Sequence, residues 1–227
     1  GVGGFLPQLK GAAIRNDDGK SGGLYIPNFR NVGKPAGKFI RGYAMSASGG
    51  AAQYPGFATA LPGFGSDFKK EVKRLYPSFA RVWLSGGEML ARKENFIELD
   101  PEVKDAWGIP VLRINCTHND NDRNIYADFF EHAQELFRAA GGEATEVRPS
   151  LSTPGSLLHE TGSCRMGGDP KTSVLDSFCR SHDVHNLFVF GGGCFVTTGD
   201  KHPTLTMMAL TARGCDYLVD AAKKGEV

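Results

Sequence analysis

His159-Glu-Thr-Gly-Ser-Cys-Arg-Met-Gly167 and, 43 residues later (202 minus 159), His202-Pro-Thr-Leu-Thr206 are the stretches on which the reading of this chain turns. Between them an apolar run with the composition of a strand, Leu187-Phe-Val-Phe190, leads into Gly191-Gly192-Gly193. Backbone without side chains at such a place lets a flat, bulky ring approach closely. Pro203 is the residue type favoured in the first turn of a helix. From there to about Ala222 the chain reads as a helix, with Leu205, Met208, Ala209, Ala212 and Leu218 available for burial. The start of that helix points at the glycine run.

These elements, in this order, resemble the carboxyl-terminal part of the glucose-methanol-choline (GMC) family of flavin-dependent alcohol oxidoreductases. In that family His-x-x-Gly-Thr/Ser-x-x-Met-Gly comes before Asp-Pro, an Arg-x-His-Asp-Val-x-Asn-Leu-like turn, a strand, a glycine-containing flavin loop and Asn-Pro-Thr-Leu-Thr. Here the counterparts are His159 to Gly167, Asp169-Pro170, Arg180 to Leu187, Gly191 to Gly193 and His202 to Thr206. A looser likeness extends upstream through Gly87-Glu-Met-Leu90, Asp100-Pro101 and Trp107 to Val111.

The resemblance implies FAD as cofactor, a small-molecule alcohol or sugar as substrate, and an electron acceptor that reoxidises the flavin. It places His159 at the family's catalytic histidine and His202 at a partner position that is Asn in many members and His in others. Gly191, Gly192, Gly193, Pro203 and Thr204 become the flavin-contacting residues. Oxidising an alcohol requires the hydroxyl proton to leave as hydride departs from the carbon, and imidazole has the pKa suited to taking that proton near neutrality. His159 is therefore the candidate base, with His202 hydrogen-bonding the same oxygen. The positive end of the helix opening at Pro203-Thr204 would stabilise negative charge on the reduced ring. Two departures from the family pattern stand out: Gly191 replaces the usual Asp, as in some sugar-oxidising members, and Val196 replaces the usual Pro.

With 227 residues, 41% hydrophobic, the chain can bury a core as one large domain or two small ones. The expected class is α+β: a substrate-domain antiparallel or mixed sheet with flanking helices, plus a carboxyl-terminal strand and helix that complete an FAD-binding α/β domain. Loosening of the composition after Pro149 puts the division between residues 1–150, the substrate-binding portion, and 151–227, the catalytic and flavin-contacting portion. A strand followed by Gly-x-Gly-x-x-Gly, the dinucleotide fingerprint, is not found; Gly1-Val-Gly-Gly4 comes nearest and has no strand before it. The expectation is a piece of a larger enzyme whose amino-terminal FAD-binding portion lies elsewhere. A net charge of +1, from 26 basic and 25 acidic residues, gives no electrostatic case for nucleic acid or an anionic membrane. No apolar run approaches the roughly 18 residues a transmembrane helix needs.

Locally, loop signals at Asn16 to Gly19, Ser21 to Gly23 and Ser48 to Gly50 separate short strand-like stretches, Leu24 to Ile26 and Lys38 to Ile40. Phe68, Val72, Leu75 and Phe79 recur at helical spacing and predict an amphipathic helix over Ser66 to Arg81, capped by Ser66. Asn95 to Leu99 and Pro110 to Ile114 predict a hairpin with its turn at Asp100-Pro101. A second helix is expected from Asn124 to Ala140, with Ile125, Phe129, Ala133, Leu136 and Phe137 inward, and a strand over Glu143 to Arg148. Tyr25, Phe29, Tyr43, Tyr54 and Trp83 would suit stacking on a sugar face if they line a pocket.

Other constellations have plainer readings. Cys179, His182 and His185 have ligand-like spacing but fall in a turn. Asp120, Asp122, Asn124 and Glu131 imitate a calcium loop, yet Ile125 stands where the sharp turn demands Gly; no metal site is expected. Five cysteines without Cys-x-x-Cys spacing argue against a disulfide framework or a zinc site, and Cys164 reads as a small buried thiol rather than a nucleophile. The alternatives to an oxidoreductase are a noncatalytic sugar-binding subunit derived from one and a metal-dependent hydrolase.

Overall fold

The computed structural model describes residues 1–9, 23–49, 56–147, 151–156 and 158–227. Asn16 to Gly19, Ser21, Gly22, Gly50, Tyr54, Arg148, Pro149 and Ser150 lie outside the described residues. Along the chain run β1 (Val2–Phe5), β2 (Gly23–Ile26), β3 (Tyr43–Gly49), α1 (Gly65–Leu75), β4 (Phe79–Gly87), β5 (Phe96–Lys104), β6 (Pro110–Asn115), α2 (Asp120–Ala139), β7 (Glu143–Val147) and α3 (Thr204–Lys223). The class is α+β. The contacts divide the chain into two units, residues 1–87 with 120–151 and residues 88–119 with 152–227. The expected linear division at 150–151 therefore has two further crossings, after Gly87 and after Asn119, so that the hairpin of β5 and β6 belongs with the carboxyl-terminal segment.

The first unit is a five-stranded antiparallel sheet, ordered β2-β3-β4-β1-β7, with α2 packed on it. Val2 to Gly4, within the nearest approach to a nucleotide fingerprint, belong to the inner strand β1. There a Cβ on Gly4 would collide with the Glu143 carbonyl of β7, so glycine is what permits the pairing. From α2, Ile125, Phe129, Ala133 and Phe137 are all 3% exposed or less and pack with Val2, Tyr43, Met45 and Val82 from the sheet. Their spacing of four residues keeps them on one helix face. Beside this core Tyr43 donates a hydrogen bond to the Asp128 carboxylate (2.7 Å), which also holds Arg30 at 2.7 and 2.8 Å.

The first helix is shorter than its periodicity predicts. α1 stops at Leu75, a single tight turn spans Tyr76–Ser78, and Phe79 opens β4. Pro77 explains this, because its ring and missing N–H cannot continue a helix. Ser66 does not cap it either; the N-cap is Phe64, without a side-chain bond. Lys38 to Ile40 forms bends, and the strand comes later, at Tyr43.

In the second unit β5 and β6 pair as expected, but the turn lies elsewhere. Asp100 accepts the N–H groups of Glu102 and Val103, making an irregularity inside β5. The turn sits at Asp105 to Gly108, where Asp105 accepts from Trp107 and Ile109 and Gly108 takes φ +82°. Ile97 pairs with Ile114 and Leu99 with Leu112, which puts all four on one face of the hairpin. The compact part of this unit is a small cluster of Leu175, Cys179, Cys194 and Phe195, flanked by Met166, Phe190, Met207 and Leu210. Leu187 to Phe190 contributes one antiparallel bridge, Arg180 to Phe188, rather than a ladder. Among the described residues no helix is long and apolar enough to cross a membrane.

Candidate active site

The segment after His159 is laid alongside the glycine run by three backbone hydrogen bonds. The N–H groups of Gly162, Cys164 and Met166 donate to the carbonyls of Gly192, Gly193 and Cys194 at 3.0, 3.1 and 3.0 Å. The three glycines have different reasons for being glycine. A Cβ on Gly192 would stand 2.5 Å from the Glu160 carbonyl oxygen, so this position is closed by the chain itself. Gly191 has φ +95°, a conformation that favours glycine, and nothing lies within 4 Å of where its Cβ would be. Gly193 has only ordinary contacts around that point. Open space beside the backbone is thus found at Gly191, not along the whole run. The Cys194 thiol, fully buried, donates to the Gly191 carbonyl at 3.1 Å and fastens the loop from inside.

His202 follows a turn at Gly199 (φ +71°), Asp200 and Lys201, and α3 starts two residues later. Pro203 is the N-cap residue, buried and already helical in its dihedrals, rather than the first residue of the helix. No side chain caps this end. The N–H groups of Thr204, Leu205 and Thr206 therefore have no acceptor within the helix, and they carry the positive end of its dipole.

The rings of His159 and His202 meet edge to face, centroids 5.0 Å apart and planes at 67°. Both side chains are exposed. At this spacing the two imidazoles are in direct edge-to-face contact, so the fold brings both to one place. The structure therefore brings together, within one unit, the two histidines, the glycine loop joined to the His159 segment, and the uncapped start of α3 beside His202.

Three residues in this neighbourhood escaped the sequence reading. The hydroxyls of Thr161 and Thr198 share a hydrogen bond (2.5 Å), and the Thr198 N–H donates to the Glu88 carboxylate (3.0 Å). Glu88 is 6% exposed. Glu88 and Thr198 are 110 positions apart, so no local spacing could announce the pair; the one available signal was the position of Glu88 in the upstream likeness.

Elsewhere the plainer readings apply. Tyr43 is fully buried and engaged with Asp128, so it offers no face to a sugar. Burial, with that hydrogen bond second, pushes its hydroxyl pKa upward. Cys179 is also fully buried, and burial first, then the neighbouring Cys194, pushes its thiol up to about 11. It remains a thiol at neutral pH, a packing group rather than a nucleophile or ligand. His182 bonds the Ser173 hydroxyl and the Gly167 carbonyl. Asp120 and Asp122 sit in the first turn of α2. Among the described residues no group of three His, Cys, Asp or Glu side chains could hold a metal ion. A cavity of about 340 Å³ in the second unit is lined by Met166, Gly167, Gly168, Asp176, Ser177, His182 and Arg213 and contains neither His159 nor His202.

A family model described as GMC oxidoreductase matches residues 91–211, a span that opens before β5, ends inside α3 and contains both histidines. The chain belongs to the GMC oxidoreductase family. GMC members are generally flavoproteins. Among curated relatives, the 2-methyl-1,2-propanediol dehydrogenase of Mycolicibacterium austroafricanum is 31% identical over 199 residues, 86% of this chain and 36% of the relative. The fructose dehydrogenase large subunit of Gluconobacter japonicus is 31% identical over 161 residues, 71% of this chain and 29% of the relative. The C-glycoside 3-oxidase of Arthrobacter globiformis is 34% identical over 130 residues, 57% of this chain and 25% of the relative. The chain thus spans about a third or less of the length of these GMC relatives.

Proposed function

We propose that this chain is the substrate-side, catalytic part of an FAD-dependent oxidoreductase that acts on a CH–OH group, with a sugar or glycoside as the substrate class. The observation that carries the reading is the 5.0 Å approach of His159 and His202 beside a glycine loop that leaves open space at Gly191. The residues present fit a flavin: open space for a ring edge, and a helix start whose N–H groups no side chain occupies. Gly191 to Gly193, Pro203 and Thr204 would hold it there, and a further dinucleotide-binding portion would complete its site. When bound, the flavin supplies the hydride acceptor. The proton balance belongs to the chain: the alcohol O–H bond breaks toward the His159 imidazole as the C–H bond gives up its hydride, leaving a carbonyl. His202 hydrogen-bonds the same oxygen and fixes its direction. The sugar preference rests on relatives named for fructose, a C-glycoside and pyranose.

The test is anaerobic addition of sugars, glycosides and small vicinal diols to the flavin-loaded enzyme while the flavin absorbance is followed. Bleaching by at least one sugar or glycoside is expected. Bleaching by diols alone would overturn the substrate class, and tight sugar binding without bleaching by any compound would favour the noncatalytic binding protein.

A further inference from the structure

We propose that Glu88 is a positioning residue for the His159–His202 pair, an inference that rests on reading those histidines as the groups that handle the substrate oxygen. Glu88 is the first residue after β4 and belongs to the same unit as the pair. Its carboxylate is nearly closed off from solvent, at 6% exposure, and accepts the Thr198 N–H at 3.0 Å. The Thr198 hydroxyl in turn bonds the Thr161 hydroxyl. Thr161 follows His159 by two residues and Thr198 precedes His202 by four. A chain of hydrogen bonds, carboxylate to amide and hydroxyl to hydroxyl, therefore crosses between the two segments that carry the imidazoles.

The two segments are held in different ways. The His159 side is pinned by its ladder to Gly192, Gly193 and Cys194. His202 stands between the turn that begins at Gly199 and the buried Pro203 at the start of α3. Thr198 lies at the root of that turn, and its N–H goes to a side-chain carboxylate. Taking a carboxylate out of water is costly unless its hydrogen bonds compensate. Moving Thr198 would take from the buried Glu88 Oε1 the N–H it accepts, which is costly, so the carboxylate resists that displacement. A pair of rings that must share one oxygen tolerates little displacement. Glu88 thus sets where the turn begins and, through it, how near His202 comes to His159.

The experiment compares Glu88→Gln, Glu88→Ala, Thr161→Val and His159→Ala in the flavin-loaded enzyme, with two readouts. The first is the rate constant of flavin reduction by substrate, and the second is the separation of the two imidazole rings in a crystal structure of each variant. Glu88→Gln keeps an oxygen that accepts the Thr198 N–H, so it should stay near the parent in both. Glu88→Ala should reduce flavin about ten- to a hundredfold more slowly, as misplacement of reacting groups does, with the rings farther apart than in the parent. Thr161→Val, which removes one hydroxyl and spares Glu88, should move both readouts the same way by less, and it decides the matter if Glu88→Ala does not fold. Parent rates and ring separation in both Glu88→Ala and Thr161→Val would overturn the positioning role, as would a Gln variant as slow as the Ala variant. If His159→Ala alone is slow, only the tie is wrong; if His159→Ala runs at the parent rate, the histidine reading falls and the inference with it.

Discussion

Helices α2 and α3 are each twenty residues long, yet α2 buries Ile125, Phe129, Ala133 and Phe137, whereas α3 buries only Gly214 and Ala221. On α3 Met207 and Leu210 flank the small cluster, but other large apolar side chains turn outward: Leu205 is 77% exposed, Met208 64% and Val219 51%. The inner face of α3 is small because the neighbours come close. A Cβ on Gly214 would meet the Phe190 ring and lie 2.9 Å from the Phe178 carbonyl oxygen. One helix closes the core of its own unit; the other keeps a slim inner face, begins beside the histidines and leaves an apolar outer face. The difference teaches that apolar spacing in a helix reports burial only when a single face is apolar. It also leaves Leu205, Met208 and Val219 together as an apolar outer face on the second unit.

The contrast breaks most visibly at Phe129. Phe129→Ala opens a cavity in a filled core and should lower the stability of the first unit by about 3 to 5 kcal/mol in a denaturant titration. Next, Gly192→Ala must displace the Glu160 carbonyl or the loop, which costs about 1 to 3 kcal/mol. Gly193→Ala, one residue on, should be close to neutral. Equal effects at the two glycines would show that the His159 segment is not seated on Gly192.

Tyr43 sharpens the comparison through pH. Its pKa is raised in the folded state, so its contribution is complete below about pH 10, the ordinary tyrosine value, and is lost as pH rises beyond that. Thermal melts of Tyr43→Phe should therefore lose less stability between neutral and strongly alkaline pH than the parent does. At neutral pH the variant should be weaker by about 1 to 2 kcal/mol, because the Asp128 carboxylate loses a donor. The smallest effect belongs to Met208→Ala, which should change stability by less than about 0.5 kcal/mol, as exposed positions do. A cost at Met208 approaching that at Phe129 would mean that the outer face of α3 is covered, and the contrast would collapse.

Where side chains follow a single period, the sequence was legible. The inner stripe of α2 was read nearly residue for residue, and the hairpin and β7 were placed because alternation and flanking turn residues agree. On α3, Leu205, Met208, Ala209 and Ala212 were assigned inward and are exposed, since apolar residues surround that helix and the deciding contact is made by a glycine. β1 and β4 were missed for related reasons: Gly3 and Gly4 carry no pattern, and Phe79 continues the period of α1 across a proline that stops it. The histidine pair and the glycine loop lie in contiguous motifs and could be named in advance. Glu88, Thr161 and Thr198 could not, because their association is created by the fold.

The most direct test of the central claim is the anaerobic rapid-mixing rate of flavin reduction in the flavin-loaded enzyme for parent, His159→Ala and His202→Asn. His159→Ala should be slower by about two to four orders of magnitude with flavin still bound, the contribution expected of a general base, and His202→Asn should lose less because an amide can still hydrogen-bond the substrate oxygen. Reduction of His159→Ala at the parent rate would make His159 a structural histidine and contradict the proposed chemistry.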